Sequence, residues 1–92
     1  MKSIDLNEGI SLKYTEYKLN PKGSLPAYEI FLNNVHQYCF IRKDTVDKLV
    51  KAYKSGAISR DDMIQNLTEI AIKTIGFVKG NPDWNKTLDE IE

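Results

Sequence analysis

The chain has 92 residues, enough for one small domain with a single hydrophobic core, and this length excludes most multidomain enzyme architectures. Its composition, 41% hydrophobic and 28% charged with five glycines and three prolines, is typical of a folded globular protein. Thirteen basic and thirteen acidic residues cancel, so no net charge attracts the chain to nucleic acid or to an anionic membrane.

The first half of the sequence has the two-residue periodicity of β-strands. Hydrophobic and polar residues alternate over about residues 10–18, and two further strands are predicted over about 25–32 and 35–42. Asn20-Pro21-Lys22-Gly23-Ser24 predicts a turn, since Pro restricts φ and Gly allows positive φ. Asn33-Asn34 predicts a two-residue hairpin turn, because Asn tolerates left-handed dihedrals. These elements predict a three-stranded antiparallel meander.

The predicted hairpin turn also sets which residues face each other across the sheet. On the face expected to be buried, the predicted pairs are Leu32 with Val35, Ile30 with Gln37, and Tyr28 with Cys39. The residues predicted to form this core face are Ile10, Leu12, Tyr14, Tyr28, Ile30, Leu32, Val35, Cys39 and Ile41. On the other face the predicted pairs are Phe31 with His36, Glu29 with Tyr38, and Ala27 with Phe40, with Glu29 and His36 exposed.

The second half changes to the helical period of three and four residues. A first helix is predicted over about residues 45–55, with its N-cap in Lys43-Asp44-Thr45 and its end at Gly56. A second is predicted over about 60–75, capped by Ser59 and ending at Gly76.

Gly80-Asn81-Pro82 predicts a break, followed by a short helical segment over about residues 83–91 that carries Trp84, Leu88 and Ile91. The predicted fold is a single α+β domain over residues 1–92. Its three-stranded antiparallel meander is followed by two helices packed on one face and a short C-terminal helical segment.

Candidate catalytic residues are few, because His36 is the only histidine and Cys39 the only cysteine. Three positions apart on a strand, they point to opposite faces and cannot form a local Cys–His pair. Two such residues are also fewer than a structural zinc site needs, and no glycine-rich phosphate loop is present. We therefore expect no catalytic residue, no cofactor and no metal: a protein that is not an enzyme.

The setting of the protein is predicted from its cysteine content and hydropathy. One cysteine allows no intrachain disulfide, and no apolar run approaches the roughly 20 residues of a membrane helix. The first residues are too polar for a signal peptide. We expect a cytoplasmic protein without membrane association.

Basic residues concentrate at the start of the first predicted helix and along it. This candidate basic surface consists of Arg42, Lys43, Lys48, Lys51 and Lys54. A nucleic-acid site is the alternative function that it suggests. Acidic residues oppose that interpretation, since Asp44 and Asp47 lie four residues before Lys48 and Lys51. The second helix also begins with two carboxylates, so nucleic acid is the less favoured partner.

The mixed sheet face is the most informative functional feature, because it is unusually aromatic. The candidate partner-binding residues on it are Tyr17, Phe31, His36, Tyr38 and Phe40. Three interpretations remain open: a contact with another protein or a second copy, cover by the tail with Trp84, and stacking of unpaired bases. We favour a small non-enzymatic protein-binding domain of the inhibitor, immunity, antitoxin or regulatory-adaptor type, with weak nucleic-acid binding as the alternative.

Overall fold

A computed structural model describes residues 3–19 and 23–80, apart from the side chains of residues 17–19, 24 and 80. The described chain forms one antiparallel sheet in the order β1-β2-β3-β4, and two helices pack on one of its sides. This arrangement confirms the predicted α+β class. The elements are β1 Ser3–Asp5, β2 Ile10–Leu19, β3 Gly23–Leu32, β4 Val35–Arg42, α1 Lys43–Lys54 and α2 Arg60–Gly80.

The sheet has four strands rather than the three predicted, because the N-terminal residues add β1. Ile4 pairs with Leu12, and Ile4 and Leu6 pack against the core. The loop to β2 reverses at Glu8 and Gly9, which both have positive φ. It is tied to α2, since the Asn7 amide donates a 3.1 Å hydrogen bond to the buried hydroxyl of Thr68.

The β3–β4 hairpin begins in the predicted register and then departs from it. Asn33 and Asn34 have φ of 50° and 66°, which confirms the two-residue turn, and the pairs Leu32–Val35 and Phe31–His36 are as predicted. A β-bulge between these pairs and Glu29 shifts the register by two residues. The predicted pairs Tyr28–Cys39, Glu29–Tyr38 and Ala27–Phe40 are therefore wrong; the observed pairs are Tyr28–Ile41, Glu29–Phe40 and Ala27–Arg42.

Strand side chains alternate between the two faces with a period of two residues. A register shift of two residues therefore leaves the side chains on their predicted faces. The core between sheet and helices is therefore close to the predicted one. Its buried members are Ile10, Leu12, Tyr28, Ile30, Cys39 and Ile41 from the sheet, and Val46, Met63, Leu67 and Ala71 from the helices.

Four burial predictions near the hairpin are wrong. Val35, predicted to be buried, is 62% exposed, and Leu32 is only half-buried. Val35 begins β4 beside the turn, and β4 is an edge strand of the sheet that residues 3–19 and 23–80 form. Glu29 and His36, predicted to be exposed, are half-buried because they contact each other.

Both helices differ from their predictions at one end. The N-cap of α1 is Arg42, in extended conformation and without a side-chain capping bond, so the predicted cap within 43–45 is wrong. The helix ends as predicted, with Gly56 at φ 84°. The Asp62 amide donates to the Ser59 hydroxyl, which confirms that cap, but α2 continues through Gly76 to Gly80. Val78 packs against the core and offsets the cost of an interior glycine.

Neither described helix has the length and apolar character needed to cross a membrane. The predicted helical segment over 83–91 lies outside the described residues.

Candidate functional site: the open face of the sheet

The side of the sheet turned away from the helices is called the open face here. Two cross-strand rows of β2, β3 and β4 build its centre: Ser11, Phe31 and His36, then Lys13, Glu29 and Phe40. A third row, Thr15, Ala27 and Arg42, lies next to them. The sheet register therefore brings together four of the five predicted partner-binding residues: Phe31, His36, Tyr38 and Phe40.

His36 lies at the centre of an aromatic cluster. Its ring centroid is 5.1 Å from that of Phe31, 4.6 Å from that of Tyr38 and 6.4 Å from that of Phe40. The contacts with Tyr38 and Phe40 are edge-on, an arrangement favoured by the charge distribution of aromatic rings. Neighbouring rings thus hold each other in fixed orientations, which lowers the entropic cost of a contact made through them.

The polar side chains of the open face contact one another and a neighbouring ring. Glu29 Oε2 lies 2.5 Å from His36 Nε2, within ion-pair distance. Lys13 Nζ lies 4.9 Å from the centroid of the Phe31 ring, a cation–π contact, and Lys13 is also paired with Glu29 across the strands. The open face is consequently aromatic at its centre and only locally charged.

Tyr38 is the most exposed member of the cluster, at 69%. It has a φ of 58° within the bulge of β4, a left-handed conformation that costs a non-glycine residue roughly 1–2 kcal/mol. The ring itself is largely exposed and is not part of the core. Residues in disfavoured backbone conformations are found often at functional sites, which makes Tyr38 a candidate for one.

Phe40 and Ala27 form a covered part of the open face. Phe40 is only 7% exposed and Ala27 is fully buried, so Phe40 offers little surface to a partner. Tyr17 lies in β2 opposite Leu25, and its side chain is outside the described residues. Phe31, His36 and Tyr38 are therefore the accessible part of the predicted site.

The predicted basic surface is divided by the structure. Arg42 faces Ala27 at the end of β4, whereas the four lysines follow along α1. Lys43 Nζ lies 2.5 Å from Asp47 Oδ2, and this hydrogen bond raises the pKa of Lys43. Asp44 and Asp47 line the same shallow groove as Lys48 and Lys51. Carboxylates therefore interrupt the positive charge that a phosphate backbone needs.

Cys39 lies on the helix side of the sheet and is 1% exposed, whereas His36 lies on the open face. The two side chains are on opposite sides of β4. Burial raises the pKa of the Cys39 thiol to about 11, and Lys79 partly offsets this rise. A reactive cysteine needs the opposite shift, so the thiol is a buried apolar group.

The raised pKa predicts a loss of stability at alkaline pH. Between the ordinary thiol pKa of 9.0 and about 11, the folded protein keeps a proton that the unfolded chain releases. The free energy of unfolding should fall with rising pH across this window, by about 2 to 3 kcal/mol from this group. Denaturant titrations should show that the free energy of unfolding of Cys39→Ala declines less steeply over this pH window. Part of the decline should remain, because burial also raises the pKa of Tyr28. Equal pH profiles for the two proteins would show that the thiol is not buried.

Among residues 3–19 and 23–80, no group of three His, Cys, Asp or Glu side chains is arranged to hold a metal ion. In comparisons with models of known protein families, with curated proteins and with solved structures, no significant match to this chain is found.

Proposed function

We propose that this protein is a small non-enzymatic binding domain whose open face contacts another protein or a second copy of the chain. The reducing cytoplasm is its proposed setting, since its only cysteine is a buried free thiol. Inhibitors, immunity proteins, antitoxins and regulatory adaptors are the classes of protein that act through such a surface. The residues proposed to make the contact are Phe31, His36 and Tyr38.

The exposed, strained Tyr38 is the single observation that carries this proposal. The left-handed conformation of Tyr38 costs stability, and its side chain, 69% exposed, is not part of the core. Tyrosine is enriched at the energetic centres of protein interfaces, because its ring supplies apolar area and its hydroxyl supplies a hydrogen bond. The neighbouring rings of His36 and Phe31 extend the contact inward along the sheet.

Photocrosslinking in producing cells tests this proposal for a partner of any identity. Tyr38 is replaced by p-benzoylphenylalanine in one variant and Tyr53 in the other. Tyr53 is a matched control, since it is an exposed tyrosine at the far end of α1, 38% accessible. We expect light to attach one defined protein, or a second copy, to position 38 and to leave position 53 unmodified.

Three outcomes contradict the proposal. Equal, unspecific adducts at both positions would show that Tyr38 is merely exposed. A defined adduct only at position 53 would move the interface to the helices. Adducts at position 38 that disappear after nuclease treatment would show that the partner is nucleic acid and not a protein.

A further inference from the structure

The groove between α1 and α2 contains a buried hydroxyl that no described residue pairs with. Thr45 lines this groove and is 7% exposed, and its Oγ1 has no hydrogen-bond partner among residues 3–19 and 23–80. The other buried threonines, Thr68 and Thr74, each donate to the carbonyl oxygen four residues earlier. Thr45 is in the first turn of α1, so the residue four positions before it, Ile41, belongs to β4 and not to the helix. A buried polar group without a partner costs stability, so a ligand that pairs with this hydroxyl would gain free energy.

We propose that this groove, called the interhelix groove here, binds a free α-amino acid with an aliphatic side chain. Its volume is about 410 Å³, within the range of small-molecule sites. The site is separate from the open face, because it lies between the helices on the other side of the sheet. This inference goes beyond the proposed function and does not depend on it.

Two aliphatic side chains of the interhelix groove suit the side chain of such a ligand. Leu49 of α1 and Ile70 of α2 line the groove, and both are half-buried and pack against the core. A ligand side chain placed on them would remove apolar surface of both molecules from water. An apolar patch beside a few polar groups is the usual composition of a small-molecule site.

Polar groups of both signs surround this apolar surface. Four exposed side chains supply them: Lys48 from α1, and Asn66, Glu69 and Lys73 from α2. Within residues 3–19 and 23–80, none of these side chains forms an ion pair or hydrogen bond, although Glu69 and Lys73 are one helical turn apart. The two ammonium groups, from opposite helices, can bind the carboxylate of an amino acid, and Glu69 can bind its ammonium group. Glu69 disfavours a ligand that carries negative charge alone.

The hydroxyl of Thr45 makes the most specific contact in this proposal. Threonine has two favoured χ1 rotamers in a helix, and rotation between them exchanges the hydroxyl with the methyl group. This rotation brings the hydroxyl to the groove, where it donates a hydrogen bond to the carboxylate of the ligand. The binding free energy then includes the relief of a buried, unpaired polar group.

An NMR titration of the full chain with leucine tests this site. The matched compounds are isoamylamine, which is leucine without its carboxylate, and isocaproate, which is leucine without its ammonium group. We expect leucine to shift the amide resonances of Thr45 and Ile70 and to leave those of His36 and Tyr38 unchanged. Isoamylamine and isocaproate should each bind at least about 10-fold more weakly, because each lacks one charge-assisted contact.

Thr45→Val distinguishes a ligand-binding hydroxyl from a structural one. Valine has nearly the shape of threonine without the polar group, so the variant should melt at a higher temperature than the native protein when leucine is absent. It should also bind leucine about 10-fold more weakly. Lys73→Gln and Glu69→Gln should weaken binding by a similar factor. Lys51→Gln is the matched control, since Lys51 is on α1 but does not line this groove, and it should leave binding unchanged.

Four results would overturn the inference. Resonances unchanged by leucine would show that the groove does not take an aliphatic amino acid. Equal affinities for leucine and isocaproate would show a carboxylate site in which Glu69 has no role. A lower melting temperature of Thr45→Val would show that the hydroxyl has a partner within the protein. Leucine binding unchanged in Lys73→Gln and Glu69→Gln would exclude the charged contacts, and these exposed positions decide the matter if Thr45→Val does not fold. None of these results alters the crosslinking expected at position 38, so the two proposals fail separately.

Discussion

Ile30→Ala is expected to lower the free energy of unfolding by about 2 to 5 kcal/mol, the cost of removing a buried aliphatic side chain from a packed core. Ile30 is fully buried at the centre of β3, between β2 and β4 and beneath the helices. The truncation removes apolar surface from the core and leaves a cavity that its neighbours fill only partly.

Ile72→Ala provides a matched control, since it is the same chemical change at a residue 45% exposed on α2. Its effect should lie within about 0.5 kcal/mol of zero, because alanine is also the better helix former. Denaturant titration of both variants checks the pair. Similar losses of stability in Ile30→Ala and Ile72→Ala would mean that Ile30 is not buried between the sheet and the helices.

A comparison with Leu32 shows why the structure is needed to choose Ile30 for this test. The sequence places Leu32 and Ile30 on the same face, and by pattern alone either truncation is expected to cost the same. In the structure Ile30 is fully buried, whereas Leu32 is half-buried beside the turn, so a smaller loss is expected for Leu32→Ala. Periodicity identifies the face that a residue occupies, whereas the position of the helices over that face decides how deeply it is buried.

Most of the fold follows from local signals in the sequence. These signals act through a residue's own side chain or backbone freedom. They are found where the sequence predicts them: the two asparagines at the hairpin, Ser59 as a cap and Gly56 at the end of α1. Strand β1 is not predicted, although Ile4 and Leu6 alternate with Asp5 before a turn at Glu8 and Gly9. Three residues are too few for a periodicity to be distinguished from chance.

The candidate site is harder to predict because it depends on a conformation that its residues disfavour. A tyrosine rarely adopts positive φ, so no local rule predicts the bulge at Tyr38. The predicted pairing of Glu29 with Tyr38 fails for this reason, although a shift of two residues returns Phe40 to its predicted face.

Phe31→Ala and Tyr38→Ala are expected to weaken the contact made by the open face by about 2 kcal/mol or more each, roughly 30-fold in the dissociation constant. Both rings contact His36, and together they form the accessible centre of the aromatic cluster. Rings at the centre of an interface carry most of its binding energy, because their burial excludes water from the surrounding contacts.

The same truncations should cost the fold little. Tyr38 is largely in solvent, and its ring contact is with half-buried His36. Phe31 is half-buried and makes cross-strand contacts with His36 and Lys13, each worth about 1 kcal/mol or less. Tyr53→Ala, the same truncation at the far end of α1, should change neither affinity nor stability appreciably.

The most direct test of a binding role for the open face is to measure affinity and stability side by side in Tyr38→Ala. Affinity is titrated against the protein crosslinked at position 38, or by sedimentation equilibrium if that protein is a second copy, and stability is measured by denaturant unfolding. A roughly 30-fold weaker contact with unfolding changed by less than about 0.5 kcal/mol is the expected result. Unchanged affinity together with a clear loss of stability would show that the aromatic face serves the fold and not a partner.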